Sequence, residues 1–270
     1  MKKTISLFIC FALLLSIVPG CKNKSDSAKT PKDSNEVEYF ALLMDGHKIG
    51  YGIERRVVEK GVVKTSIEMA LVLSRIGVPV SVATKSSSTE TKDGKPLGFE
   101  IEQEGLIATK TVGTIDKNGK LIVTSGQQVN EMDWPEGALM SEGMRLLHYK
   151  TGLKEGASYK AKMFDPSTLT VFDVEVNVGA KRQVDLLGRV VELTEIKTKA
   201  TSETVATLNA DEYYDEDLKL QKSVTPVIGV LIEQVACSKE FALGKNDVYE
   251  IVDKMFIASP ELISNISSVK

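Results

Sequence analysis

Histidine, tryptophan and cysteine are scarce in this 270-residue chain: two, one and three copies respectively. His47 and His148 stand far apart, without the cysteine or carboxylate spacing of a zinc site, so a histidine-rich metal centre is excluded by inventory. Of the cysteines, Cys10 lies in an apolar leader and Cys21 at its end, which leaves Cys237 without an intramolecular disulfide partner. Stability must then come from a core, as the 42% hydrophobic content allows. No basic run or aromatic–basic patch occurs, which argues against nucleic acid as a partner. Glycine-rich phosphate loops and Gly-x-Ser-x-Gly elbows are missing, as is a calcium loop with alternating oxygen ligands. No cofactor is called for.

What is present begins at the N-terminus. Lys2 and Lys3 precede an apolar run, Ile5 to Val18, interrupted only by Ser6, Cys10 and Ser16. A positive start, a short apolar stretch and a small-residue cut site define a secretory signal. The run is too short for a comfortable membrane span of roughly 20 residues. Val18-Pro19-Gly20-Cys21 resembles a bacterial lipobox, with Pro19 in place of the commoner Ala or Ser. The resemblance implies cleavage after Gly20, a diacylglyceryl thioether on Cys21 and an N-acyl chain of the palmitate kind. Two or more acyl chains anchor stably where one is marginal. The expected location is the bacterial cell envelope, facing the periplasm or exterior, and Lys22 permits outer-membrane delivery by resemblance to enteric sorting. Loss of residues 1–20 removes two lysines and moves the formal charge from −3 to about −5.

Residues 21–35 are polar and rich in Lys, Ser and Asp, with no face to bury, and read as a disordered tether. Beyond them the dominant period is two. Ile67, Met69, Leu71 and Leu73 alternate with Ser66, Glu68, Ala70 and Val72, and Phe172, Val174, Val176 and Val178 alternate with Asp173, Glu175 and Asn177. Such alternation predicts strands with one buried face. Asp45-Gly46, Lys60-Gly61, Asp93-Gly94 and Asn118-Gly119 supply turns between the runs. Strands are expected throughout 37–124 and 159–257, with 170–179 and 182–187 as separate elements and nothing assigned to 125–133. One segment breaks the pattern: Leu139, Met140, Met144 and Leu147 recur at helical spacing after Pro135, which predicts one helix over 135–151 ending at Gly152. Residues 259–270 read as a frayed tail.

The expected fold is therefore mainly β. A single domain over 36–258 forms a large antiparallel curved sheet, or an incompletely closed barrel, with the 135–151 helix across its mouth. A two-sheet β-sandwich is the alternative.

Candidate sites are few. Cys237 ends an apolar strand, Val227 to Ala236, where a small cysteine is usually core filler. A thiol nucleophile needs a base, and both histidines precede Cys237 whereas a thiol enzyme of the transglutaminase-like order has its histidine after the cysteine. Arg75-Ile76-Gly77-Val78-Pro79 resembles a segment near that family's active centre but is flanked by period-two strands. Asp215, Glu216 and Asp217 fit a solvated hairpin tip, and Glu100, Glu102 and Glu104 share the wet face of a strand. Trp134, Met140 and Met144 either plug the sheet or line an apolar groove for an acyl chain or amphiphile, since methionine adapts its shape at such surfaces.

Three passages together resemble the β-rich domain that precedes bacterial transglutaminase-like domains. Met44-Asp45-Gly46-His47-Lys48-Ile49-Gly50-Tyr51 is similar to its opening, Lys92-Asp93-Gly94-Lys95-Pro96-Leu97 to a later turn, and Leu153 to Tyr159 with Phe164-Asp165-Pro166-Ser167 to a third passage. That family resembles the half-barrel of periplasmic lipoprotein carriers, which hold acyl chains in a concave sheet. The chain ends where the family's thiol-enzyme domain begins, so the resemblance implies a fold and an accessory role, with no catalytic residue. The expectation is a non-enzymatic, lipid-anchored module that binds an amphiphile; an accessory subunit of an envelope enzyme, or a cryptic thiol hydrolase or transferase using Cys237, are the alternatives.

Overall fold

A computed structural model describes residues 34–250, apart from 76, 106–107 and 228–229. The leader, Cys21, nearly all of the tether and the 259–270 tail lie outside the described residues.

One sheet organises the chain. Its strands are β1 (Glu36–Met44), β2 (His47–Glu59), β3 (Val62–Arg75), β4 (Val78–Thr91), β5 (Pro96–Glu104), β6 (Thr109–Ile115), β7 (Lys120–Ser125), β8 (Gln128–Asp133), β9 (Ala138–Leu139), β10 (Ser158–Asp165), β11 (Thr170–Leu186), β12 (Arg189–Thr201), β13 (Leu208–Tyr214), β14 (Leu220–Val227) and β15 (Val230–Ala236). Their order is β8-β7-β6-β5-β4-β3-β2-β1-β15-β14-β13-β12-β11-β10-β9, antiparallel except for the short parallel pair β9–β10. The tight turns fall where glycine follows a residue that tolerates a left-handed backbone: Asp45, Lys60, Gly46 and Gly61 all have positive φ.

The sheet curls until its two margins overlap instead of bonding. Ala138 of β9 and Phe164 of β10 pack with Phe99, Ile101, Leu121 and Val123, which stand on the concave face of β5 and β7. Yet Met163 and Leu139, the sequence neighbours of Phe164 and Ala138, turn toward the central core beside Met144 and Phe172. β9–β10 is thus tucked inside β5–β7, and side-chain packing closes what hydrogen bonds leave open. The fold is an unclosed barrel, and the sandwich alternative is set aside.

β1 is buried on both faces over the unbroken run Phe40-Ala41-Leu42-Leu43-Met44. Phe40, Leu42 and Met44 point inward, while Ala41, Leu43 and Val235 are covered by Val184, Leu186 and Leu193. A bulge between Val178 and Lys181 makes that cover possible. The extra residue shifts the phase of β11, so Phe172 to Val178 face the interior and Val184 and Leu186 face outward. One bulged strand thus replaces the two expected at 170–179 and 182–187.

The helix is shorter than the spacing predicted. α1 is Ser141–Thr151. Pro135 and Gly137 (φ +73°) form a turn instead, and Ala138–Leu139 pair with β10. α1 runs from the β4–β5 turn, where Gly94 meets Gly143, to the β13–β14 turn, where Leu218 meets Tyr149. It lies across one rim of the barrel. A Cβ on Gly94 would sit 2.6 Å from the Cα of Gly143, so this crossing needs glycine. β8 has no signal in the sequence, because Gln128 to Asp133 carries no apolar alternation. A further turn of helix, α2 (Lys239–Ala242), follows Ser238, whose hydroxyl caps it. The expected strand at 248–257 shows only a bridge from Ser74 to Glu250 before the described residues end.

Candidate binding cleft

Cross-strand pairing fixes which side chains meet inside the barrel. On β11 to β14 the inward set includes Phe172, Val174, Val176, Val178, Ile196, Ala200, Tyr214 and Leu220, all buried and packed on Phe40 and Met144, while Tyr159, Ala161 and Met163 of β10 pack against them half-buried. On β3 to β6 the inward Thr65, Leu71, Leu73, Ser88, Phe99 and Ile101 are buried, whereas Ile67, Met69, Val82, Thr84, Ser86, Gln103 and Thr111 on the same face are only half-buried. Ile67 and Ser86 face Met163 across a gap of about 30 Å³, bounded by Thr65, Ser88, Met140 and Asp165. That is room for about one water. Beyond this gap the concave face of β3–β5 is apolar toward Leu71 and Leu73 and hydroxyl-bearing toward Thr84, Ser86 and Ser88.

The floor of the cleft is charged. Glu142 of α1 is 1% exposed, and its carboxylate accepts two hydrogen bonds from the Arg56 guanidinium, both at 2.8 Å, and one from Arg145 at 3.2 Å. Glu90, fully buried on β4, accepts the Glu142 and Gly143 backbone N–H groups at 2.7 and 3.0 Å and the Ser88 hydroxyl at 3.0 Å. Met140 precedes the helix without a capping side chain, and Glu90 takes that role from another strand. Burial raises the Glu90 carboxyl to about 7, with the helix N–H groups pulling the other way.

A second polar group lies deeper. The His148 ring stands 4.8 Å from the Tyr214 ring, and its Nδ1 is 3.4 Å from the Tyr159 hydroxyl. Burial lowers His148 to about 4, so it is neutral at pH 7. Thr198 and Tyr214 donate to Glu212 at 2.9 and 3.5 Å, and burial raises that carboxyl to about 7. Neither group reaches Cys237, which packs with Val235 and Leu43 on the outward face, and burial pushes its thiol up.

At the opposite rim the chain after α2 runs past the ends of β1 to β3. Lys48 holds it: Nζ donates to Gly244 O (2.9 Å) and Asn246 Oδ1 (2.8 Å), and Lys48 and Asp247 exchange bonds of 2.9 and 2.7 Å. Tyr249 then inserts against Leu42, Met44, Ile49, Leu71 and Leu73, and its hydroxyl donates to Asp45 at 2.5 Å.

The three side chains expected to line an apolar groove are separated. Met140 and Met144 are each 2% exposed, Met140 in the overlap cluster with Phe99 and Phe164 and Met144 in the central core. Half-buried Trp134 lies 4.8 Å from the Phe164 ring and donates from Nε1 to Ala138 O at 3.2 Å. Cys21 lies outside the described residues. Glu100 and Glu102 do face solvent, where Lys110 binds both, and Asp215 caps the β13–β14 turn through the backbone of Asp217 and Lys219. The open strip Met69, Val82, Thr84, Ser86 went unrecognised, although period two already placed Met69 on the apolar face. Among the described residues no group of three His, Cys, Asp or Glu side chains is spaced to hold a metal.

No family model and no curated protein matches the chain. Among solved structures it is similar to a β-barrel-like protein of a domain of unknown function, DUF1849, from Brucella abortus. The two share 12% identity and a TM-score of 0.57, over 77% of this chain and 97% of that one. The likeness is one of fold: a β-barrel-like domain.

Proposed function

We propose that this chain is a non-catalytic, lipid-anchored module of the bacterial cell envelope whose concave sheet takes up an apolar chain or amphiphile. The observation that carries the proposal is the half-buried strip of Ile67, Met69, Val82, Thr84 and Ser86 on an otherwise packed wall. Apolar pockets with a few convergent polar groups are the usual form of small-molecule sites. Here methionine and isoleucine would contact an alkyl chain, and the hydroxyls of Thr84 and Ser86 would meet its polar end. The non-catalytic reading is supported by Cys237, whose thiol is raised by burial and lies across the sheet from His148. The lipid anchor rests on Lys2 to Cys21.

Native mass spectrometry of the full chain, isolated from envelope membranes without added lipid, tests the binding. An adduct of acyl-chain mass on the folded species is expected. Consistent recovery of the bare chain, also after exposure to palmitate and lysophospholipid, would sink the proposal.

A further inference from the structure

The two margins of the sheet are treated differently. β9 is covered by β5–β7, with Ala138 3% exposed. β8 is exposed at all six residues, and its pairing with β7 has no bulge. Trp134 N–H donates to Gly119 O, which fixes the phase of the ladder. Main-chain groups of Gln128, Asn130 and Met132 therefore point at β7, and those of Val129, Glu131 and Asp133 point away. Edges are normally blunted by charged side chains, proline, a bulge or a cover; β8 carries Glu131 and Asp133 but no proline or bulge, and among the described residues nothing covers it. Its acids are partly offset, since Lys120 of β7 reaches Asp133 at 2.8 Å and Glu131 at 3.9 Å. Beside them Val129 is 65% exposed, and Ile122 and Met132 are 37% and 38% exposed.

We propose that β8 is a self-association edge: it pairs antiparallel with β8 of a second copy of this chain, about a two-fold axis through Asn130. The outward groups belong to odd-numbered residues, so a hydrogen-bonded register must set odd against odd. An axis at Asn130 does so and places Val129 opposite Glu131 of the second copy, in both directions. Gln128 then meets Met132, and Asn130 meets its own counterpart. An axis at Glu131 would set two carboxylates face to face, and like charges directly opposite destabilise a sheet. An axis at Val129 would leave half of the strand unpaired. The strand's sequence therefore fits its own copy in one register. Six residues make a small interface, so the dimer is expected to depend on concentration.

The full chain carrying Asn130→Cys, compared with the chain carrying Glu131→Cys, tests this. Residues opposite in a non-hydrogen-bonded pair lie within disulfide reach, whereas two copies of residue 131 are diagonal in this register. Under mild oxidation the Asn130→Cys chain should form covalent dimer about tenfold faster than the Glu131→Cys chain, in proportion to the geometric preference of the bond. Glu131→Pro removes only an N–H that faces away from β7. It should leave the melting temperature in place and shift sedimentation equilibrium of the full chain to monomer. Equal oxidation at 130 and 131, or a wild-type chain that stays monomeric at every concentration, would overturn the proposal. So would an edge occupied by a strand of a different protein.

Discussion

The two halves of the concave wall share strand geometry and differ in what they turn inward. On β11 and β12 the inward side chains Phe172, Val174, Val176, Val178 and Ile196 are buried against their neighbours and against Met144. From β3 to β6, Leu71, Leu73, Phe99 and Ile101 are buried too, but among them Ile67, Met69 and Val82, interleaved with Thr84, Ser86 and Thr111, stay half-buried. Close-packed apolar surface supplies cohesion, whereas a wall with small hydroxyls tolerates water or an exchangeable guest. The filled half and the charged floor hold the barrel, and the open half is where the proposed ligand would sit.

The largest effects should therefore come from the filled half and the floor. Phe172→Ala is expected to cost about 3–5 kcal/mol in chemical unfolding, because its buried site cannot collapse. Glu142→Ala would remove the carboxylate that Arg56 and Arg145 share and is expected to cost about 3–5 kcal/mol in the same measurement. If either variant matches the wild type, the division of labour between the halves is wrong.

A pH series sharpens the comparison. Glu212 has a folded value near 7, above its unfolded value. The protonated form is thus favoured by folding, and that stability is complete below the unfolded value and is lost as pH rises through 7. His148 has the opposite sign: depressed to about 4, it contributes above its unfolded value and is lost as pH falls toward 4. Glu212→Gln should remove the first of these, raising stability at pH 8 by about 1–3 kcal/mol relative to wild type. Thermal unfolding at pH 5 and pH 8 reads this, and an unchanged pH slope would contradict it. The smallest stability effect belongs to the open half. Met69→Ala should cost about 1–2 kcal/mol, below the usual range for a fully buried methionine, while weakening uptake of an acyl probe. A loss as large as that of Phe172→Ala would show that the open half is packed core.

Much of this was legible from residue order. Alternation at Ile67 to Leu73 and at Phe172 to Val178 placed strands and inward faces correctly, and Asp45-Gly46 and Lys60-Gly61 marked real turns. Three features were not legible. β8 lacks apolar alternation because both of its faces meet solvent. Residues 135–140 carry helical spacing, but 135–137 form a turn and Ala138–Leu139 are held extended by pairing with β10, a tertiary contact that periodicity cannot report. The Glu90–α1 cap joins residues 52 apart in sequence, so no local pattern announces it. At the candidate site, methionine composition drew attention to Met140 and Met144, which are core, and away from Met69 and Ser86, whose half-buried state follows only from the curl of the sheet.

The most direct test of the account is to fill the open half and leave the rest alone. Ser86→Trp in the full chain would place a large ring over Ile67 and Met163, and the wild type and variant would be titrated with a fluorescent fatty acid. The account predicts saturable binding by the wild type and at least a tenfold loss, about 1.4 kcal/mol, in the variant, whose circular dichroism should still be that of the folded barrel. Equal affinity in the two chains, or no saturable binding by the wild type, would contradict it.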